Sequence, residues 1–203
     1  MMRALTRPAH TPSGRTVQPS RESNGSPRSG NPRVLFIGCS DFPLSAPFAL
    51  GAEAHEVVEA RTAGAVVPRY RMDADDEVGT TIEWALATMG VEEIVLCGHA
   101  GCAAVRSLWD DGESAAEQPS LKAWRGLAAP DPAHFDGAVP DDEDRVRAAE
   151  RRHLLTQMHH LRTYPSVTRR LVTRRLRVHT WYHHGCDAKV QTWDAENRTF
   201  TDL

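Results

Sequence analysis

Glu93-Ile94-Val95-Leu96-Cys97-Gly98-His99-Ala100-Gly101-Cys102 is the stretch on which the fold turns. Its first six residues form an apolar run closed by glycine, the pattern of a strand buried on both faces. A tight turn follows, and Cys102 to Leu108 reads as the start of a helix. Upstream, Val34-Leu35-Phe36-Ile37-Gly38 is a second run of the same kind and ends in Cys39-Ser40-Asp41. His55 to Ala60 is a third strand, leading into Arg61-Thr62-Ala63-Gly64. Between the second and third of these strands in chain order lies Gly79 to Gly90. Its Ile82, Ala85, Leu86 and Met89 recur at i, i+3, i+4 and i+7, which is one helical face closed by a C-terminal glycine. Downstream, Leu154, Met158 and Leu161 line a helix, with Leu155 beside them, that ends at Tyr164-Pro165. A short helix over Val167 to Leu171, a strand from Leu176 to Tyr182 and an edge segment from Val190 to Trp193 complete the pattern. Alternating strands and helices predict an α/β fold, a central mostly parallel β-sheet flanked by helices.

The rest of the chain sets the limits. It has 203 residues, 40% hydrophobic and 25% charged, with a formal net charge of −3. That composition fits one globular domain and excludes a collagenous or wholly disordered chain. No apolar run approaches the roughly 18 residues that a membrane span needs, and no charged-then-apolar leader opens the chain. A cytoplasmic protein without membrane partners is the expectation. Residues 1–32 are rich in Ser, Arg, Pro, Gly and Thr and poor in large apolar side chains, so they are predicted to be a disordered basic tail. The tail also resembles an organellar transit peptide, against which Glu22 and the weak amphipathicity weigh. The domain itself is predicted over 33–203. Residues 1–33 hold six Arg and one Glu, which leaves 18 basic against 26 acidic residues for 34–203. An acidic body argues against a broad nucleic-acid footprint. Trp109 to Asp144 is polar and proline-bearing, with Pro119 to Trp124 its most ordered part.

Four cysteines, Cys39, Cys97, Cys102 and Cys186, are too few and too irregular for a disulfide framework. Two strands instead end in metal-ligand chemistry, one in Cys39-x-Asp41 and the other in His99-x-x-Cys102. Functional groups collect at the carboxyl ends of strands in an open parallel sheet, so these two ends can converge. Two thiolates and one imidazole suit zinc and leave a fourth position for water or for Asp41. The alternative is that Cys39 and Cys102 are small buried residues at strand ends, as Cys97 inside its strand is read to be. The pairs His159-His160 and His183-His184 are read as surface or packing residues, because adjacent side chains point to different sides. Arg169, Arg170, Arg174, Arg175 and Arg177 are read as a solvated face, being spread over more than half of a helix circumference.

In this order and spacing, Cys39-Ser40-Asp41, Arg61-Thr62-Ala63-Gly64, Thr81-Ile82-Glu83-Trp84-Ala85 and Cys97-Gly98-His99-Ala100-Gly101-Cys102 resemble the β-class carbonic anhydrases. Pro119-Ser120-Leu121 with Trp124, Leu154-Leu155-Thr156-Gln157, Leu161 to Pro165 and His179-Thr180-Trp181 extend the likeness over about residues 33 to 195. The resemblance implies zinc on Cys39, His99 and Cys102, reversible hydration of CO2 to hydrogencarbonate by zinc-bound hydroxide, and a homodimer or higher homo-oligomer. It gives Asp41 the catalytic role of orienting that hydroxide, and makes Arg61 a substrate-site candidate. One position departs from the family pattern Cys-x-Asp-x-Arg, in which the arginine pairs with the aspartate and keeps it off the metal: here it is Pro43. Without that partner Asp41 becomes a possible fourth zinc ligand, and the site is expected to be closed at rest unless Arg61 substitutes. Two alternatives follow from Pro43 and from divergence: a zinc-binding homologue with little or no carbonic anhydrase activity and a regulatory or binding role, or an enzyme acting on another small electrophile.

Overall fold

Strand β1, Val34–Cys39, sits between two parallel neighbours, β2 (Val57–Thr62) and β3 (Glu93–His99). Strand β4, Arg177–His183, pairs in parallel with β3, and the chain then turns back through β5 (Val190–Asp194) and β6 (Thr199–Asp202), both antiparallel. The order across this six-stranded sheet is β2-β1-β3-β4-β5-β6. The α/β architecture with a mostly parallel central sheet is therefore as the sequence predicts. The structure is a computed structural model that describes residues 32–73, 76–108, 118–128, 143–185 and 189–203. The expected tail falls, but for residue 32, outside the described residues, as do Cys186, 109–117 and 129–142.

Helices cover both faces, as a parallel sheet requires. On one face lie α2 (Glu77–Trp84), α5 (Glu143–Leu161) and α6 (Pro165–Val172), whose Ile82, Leu154, Met158, Leu161 and Val167 pack with Leu35, Ile37, Ile94 and Leu96. The other face is covered by two five-residue helices, α1 (Ala46–Leu50) and α3 (Ala103–Ser107), against Phe36, Val95, Cys97 and Trp181. Helix α4 spans Pro119–Ala128 and contains the segment expected to be ordered. None of the described helices is long and apolar enough to cross a membrane.

Several boundaries move. The predicted strand from His55 begins instead at Val57, because Ala54–Glu56 forms one 3-10 turn capped reciprocally by Glu53 and Glu56. The Gly79–Gly90 helix starts earlier, at Glu77, where the Asp76 carboxylate accepts the Gly79 N–H. Its last turn, Ala85–Met89, widens to a π-turn before Gly90 at φ +73° closes it. Helix α1 and strand β6 are unforeseen additions. Thr199-Phe200-Thr201 is a strand because Phe200 packs on Trp193 (5.2 Å between ring centroids) across a turn tied by Asp194, which accepts from the Glu196 and Asn197 N–H groups.

Candidate metal centre

The first ligand candidate, Cys39, is the last residue of β1; His99 is the last residue of β3, and Cys102 follows three residues on as the N-cap of α3. Because β1 and β3 are parallel neighbours with Gly38 beside Cys97, both strands deliver their carboxyl ends to one place. Gly101, at φ +71°, makes the left-handed turn that brings Cys102 back toward Cys39. The two sulfurs lie 3.5 Å apart. Asp41 Oδ1 lies 2.6 Å from Cys39 Sγ, 2.8 Å from His99 Nε2 and 3.8 Å from Cys102 Sγ. The donor atoms of Cys39, Asp41, His99 and Cys102 all fall within 4.8 Å of one another. The structure thus brings together all four residues that the sequence nominates.

The surroundings orient these donors. His99 Nδ1–H donates to the Ala100 carbonyl (3.1 Å), which turns Nε2 inward toward Asp41. Backbone N–H groups reach both sulfurs, from Gly64 to Cys39 (3.0 Å) and from Val105 to Cys102 (3.4 Å), and such contacts favour thiolate. Gly64 is held at φ +71°, a conformation that suits glycine, and this aims its N–H at Cys39. Asp41 Oδ2 accepts the Ala103 N–H (2.9 Å) at the start of α3.

The electrostatics match a cation site. Contact with the Cys102 sulfur is the largest influence on the Cys39 thiol and lowers its pKa, while Cys102, beside the Cys39 thiolate, is pushed up. For His99, burial works against charge, but hydrogen bonding to Cys39 and the Asp41 charge outweigh it and raise the pKa to about 8. Burial likewise opposes ionisation of Asp41, and Cys39, the Ala103 N–H and His99 together lower its pKa. The site therefore gathers anionic donors around shared protons, which a divalent ion would displace. Two thiols, one imidazole nitrogen and one carboxylate oxygen, all within 4.8 Å of one another, form a donor set suited to tetrahedral zinc.

Arg61 departs from its expected use. Its guanidinium donates to the carbonyls of Leu44 (3.0 Å), Cys39 (2.9 Å) and Phe42 and to the Glu59 carboxylate (3.1 Å). It clamps the backbone of the loop that carries Asp41 and makes no hydrogen bond to Asp41 itself. The reason is register: Arg61 sits beside Gly38 on the neighbouring strand, below the level of the Asp41 side chain. Pro43 supplies no donor in its place. Cys97 is a buried strand residue whose thiol burial pushes up to about 12, in line with its reading as packing. The paired histidines divide as expected, with His160 buried and His159 exposed.

Sequence reasoning missed Glu150. It is buried on α5, accepts the Cys102 N–H (2.9 Å) on one oxygen and the Tyr182 hydroxyl (2.6 Å) on the other, and so ties a candidate ligand to β4. Three further polar residues of α5 hold the Gly64 to Val67 segment: His153 Nε2–H donates to Gly64 (2.8 Å), Gln157 accepts from Val67 N–H (3.0 Å) and His160 Nδ1–H donates to Val67 (2.8 Å). The signal was present as polar residues at i, i+3, i+7 and i+10, a helical stripe beside the leucine stripe.

Comparison with known proteins agrees with this architecture. A family model described as carbonic anhydrase matches residues 34–190. A carbonic anhydrase of Synechocystis sp. is 29% identical over 171 residues, covering 81% of this chain and 60% of that protein. A carbonic anhydrase of Pseudomonas aeruginosa is 30% identical over 179 residues, covering 85% of this chain and 78% of its own length. The chain thus spans less than two thirds of the Synechocystis relative. Among solved structures, the β-carbonic anhydrase CcaA superposes with a TM-score of 0.73 at 27% identity, over 86% of this chain and 85% of that one. Fold and sequence agree on one assignment: this chain belongs to the β-class carbonic anhydrase family.

Proposed function

We propose that the protein is a zinc-dependent carbonic anhydrase that interconverts CO2 and hydrogencarbonate, with zinc held by Cys39, His99 and Cys102. The observation that carries this reading is the convergence of those donors with Asp41 inside 4.8 Å at the carboxyl ends of β1 and β3. Zinc, when bound, supplies a Lewis acid that activates water near neutral pH. The chain's own groups do the rest. His99 presents Nε2 because its other nitrogen is occupied by Ala100. Cys39 and Cys102 are steadied as thiolates by the Gly64 and Val105 N–H groups. Asp41, anchored by the Ala103 N–H, offers its remaining oxygen as the anionic acceptor that orients the attacking water and receives its hydrogen bond. Arg61 supports the substrate side indirectly by fixing the loop from Cys39 to Leu44.

A second reading rests on Pro43. Asp41 has no guanidinium partner among the described residues, and its Oδ1 already lies among the candidate metal donors. In that reading Asp41 completes the donor set, water is excluded, and the protein binds zinc in a regulatory role with little hydration activity. An enzyme acting on another small electrophile needs the same open position and fails with it. Stopped-flow CO2 hydration on zinc-loaded protein separates the two: rapid hydration at neutral pH supports the enzyme, and full zinc occupancy without hydration supports the closed site.

We also propose a homodimer, a cytoplasmic location and a tail over 1–32 separate from a domain over 33–203. The dimer is supported by Phe48 of α1, a large apolar side chain left 69% exposed among the described residues. Light scattering that gives a monomer at micromolar concentration would count against it.

A further inference from the structure

Residues 169–177 carry five arginines in a body with an excess of acid, and four of them, Arg169, Arg174, Arg175 and Arg177, are exposed as the solvated reading expects. Helix α6 ends at Val172; Arg174 then takes a left-handed φ of +55°, and the Arg175 N–H donates back to the Arg170 carbonyl (2.9 Å). This reversal returns Arg175 to the side of the helix that bears Arg169 and Arg170. Residues Ser166, Arg169, Arg170, Thr173 and Arg175 together line a cleft of about 470 Å³. Arg177 leaves the group, because it pairs with Glu93.

Within the cleft the charges are uncompensated. Arg170 is fixed by one bond to the Leu86 carbonyl (2.7 Å), a neutral acceptor, while the Arg169 and Arg175 side chains have no hydrogen-bond or carboxylate partner among the described residues. Thr173 Oγ1 donates to the Arg169 carbonyl (3.0 Å). Ser166 Oγ is buried without any hydrogen-bond partner. Like charges gathered at one concavity repel, and a buried hydroxyl without a partner costs stability. A single bound anion relieves the repulsion.

We propose that this cleft binds the phosphate group of a small phosphorylated molecule. Arginine forks pair with oxyanions in bidentate fashion, and a carboxylate has two oxygens, enough for one fork. A phosphate group presents three or more, enough for several guanidinium groups together. The cleft volume lies within the range of small-ligand sites, roughly 300–1,000 Å³. It opens at the amino end of β4, whereas the metal-ligand cluster lies at the carboxyl ends of the sheet, about 20 Å away along a seven-residue strand. The two sites are therefore separate, and the proposal stands whether or not the chain hydrates CO2.

Calorimetric titration of the full chain with inorganic pyrophosphate, at ionic strength held constant with chloride, tests it. Saturable one-to-one binding is expected, with a rise in melting temperature. Arg169→Ala with Arg175→Ala should weaken it about 100-fold, near tenfold for each lost charge-assisted pair. Arg71→Ala, an exposed arginine elsewhere, should leave it unchanged. These side chains lie at the surface, and unaltered zinc content checks that each variant is folded. Absence of saturable binding at millimolar pyrophosphate, or equal binding by the double variant, overturns the proposal. Preference for a polyglutamate peptide over pyrophosphate overturns it in favour of an acidic polypeptide.

Discussion

Among the described residues the Asp41 carboxylate has four polar neighbours, Cys39, His99, Cys102 and the Ala103 N–H, and none is an arginine. Its behaviour decides between an open and a closed centre, and position 43 is the place to intervene. Pro43→Arg would add a charge-assisted competitor for the carboxylate, worth about 1.5–3 kcal/mol where it forms, and CO2 hydration at neutral pH should rise about tenfold. Proline also restrains φ near −65°, so Pro43→Ala is the control for backbone release and should give no gain. Asp41→Asn should lower hydration, since the water then loses its anionic acceptor. Rapid hydration by the unaltered chain, with no gain from Pro43→Arg, would mean that the Ala103 N–H suffices to hold Asp41 back. The thiols behave differently according to position. Serine in place of Cys39 or Cys102, or alanine in place of His99, should abolish stoichiometric zinc, while Cys97→Ala, deep in β3, should retain it by metal analysis.

Helix α5 shows why some elements were legible and others were not. Its apolar stripe of Leu154, Met158 and Leu161 identified the helix because apolar periodicity reflects burial directly. Its polar stripe was not read as functional because nothing local says what a buried glutamate faces. Glu150 meets Cys102 and Tyr182 across 48 and 32 residues of sequence, contacts that only the packed sheet creates. The ligand motifs were legible because they lie at strand ends and topology sends those ends to one edge. Arg61 was not, since its partners are backbone carbonyls set by strand register. Glu150 also yields a test. Glu150→Ala strips the Cys102 N–H and the Tyr182 hydroxyl of their acceptor, at about 1–3 kcal/mol for each group left unpaired, and should weaken zinc binding about 10–100-fold. Glu150→Gln keeps an acceptor for Cys102 and should restore most of the affinity. A competitive zinc titration beside thermal unfolding separates the roles: lower melting temperature with unchanged affinity would make Glu150 structural alone.

At the scale of the whole molecule, α5 binds the sheet to the Gly64–Val67 segment through buried histidines, and this makes stability depend on pH. His153 is pushed down to about 4 by burial, with the nearby His160 acting in the same direction and the Gly64 carbonyl opposing. Burial also lowers the pKa of His160. In the unfolded chain both titrate near 6.5. Between about pH 6.5 and 4 the unfolded state therefore holds more protons than the folded one at these positions, so acid favours unfolding. The stability contributed by keeping His153 neutral is complete above pH 6.5 and is lost progressively as pH falls toward 4. For His153 the loss between pH 6.5 and 5 is about 2 kcal/mol, at 1.36 kcal/mol per pH unit. The metal-free centre opposes this, because His99 folds with its pKa raised to about 8; its contribution is full below 6.5 and disappears as pH rises through 8. A comparison within one background isolates His153. His153→Asn retains an amide donor in place of the ring and does not titrate, so its denaturant-unfolding free energy should fall less between pH 6.5 and 5, by about the same 2 kcal/mol. Parallel pH profiles for the two proteins would show that His153 is not held neutral in the folded state and does not contribute to the acid sensitivity of the domain.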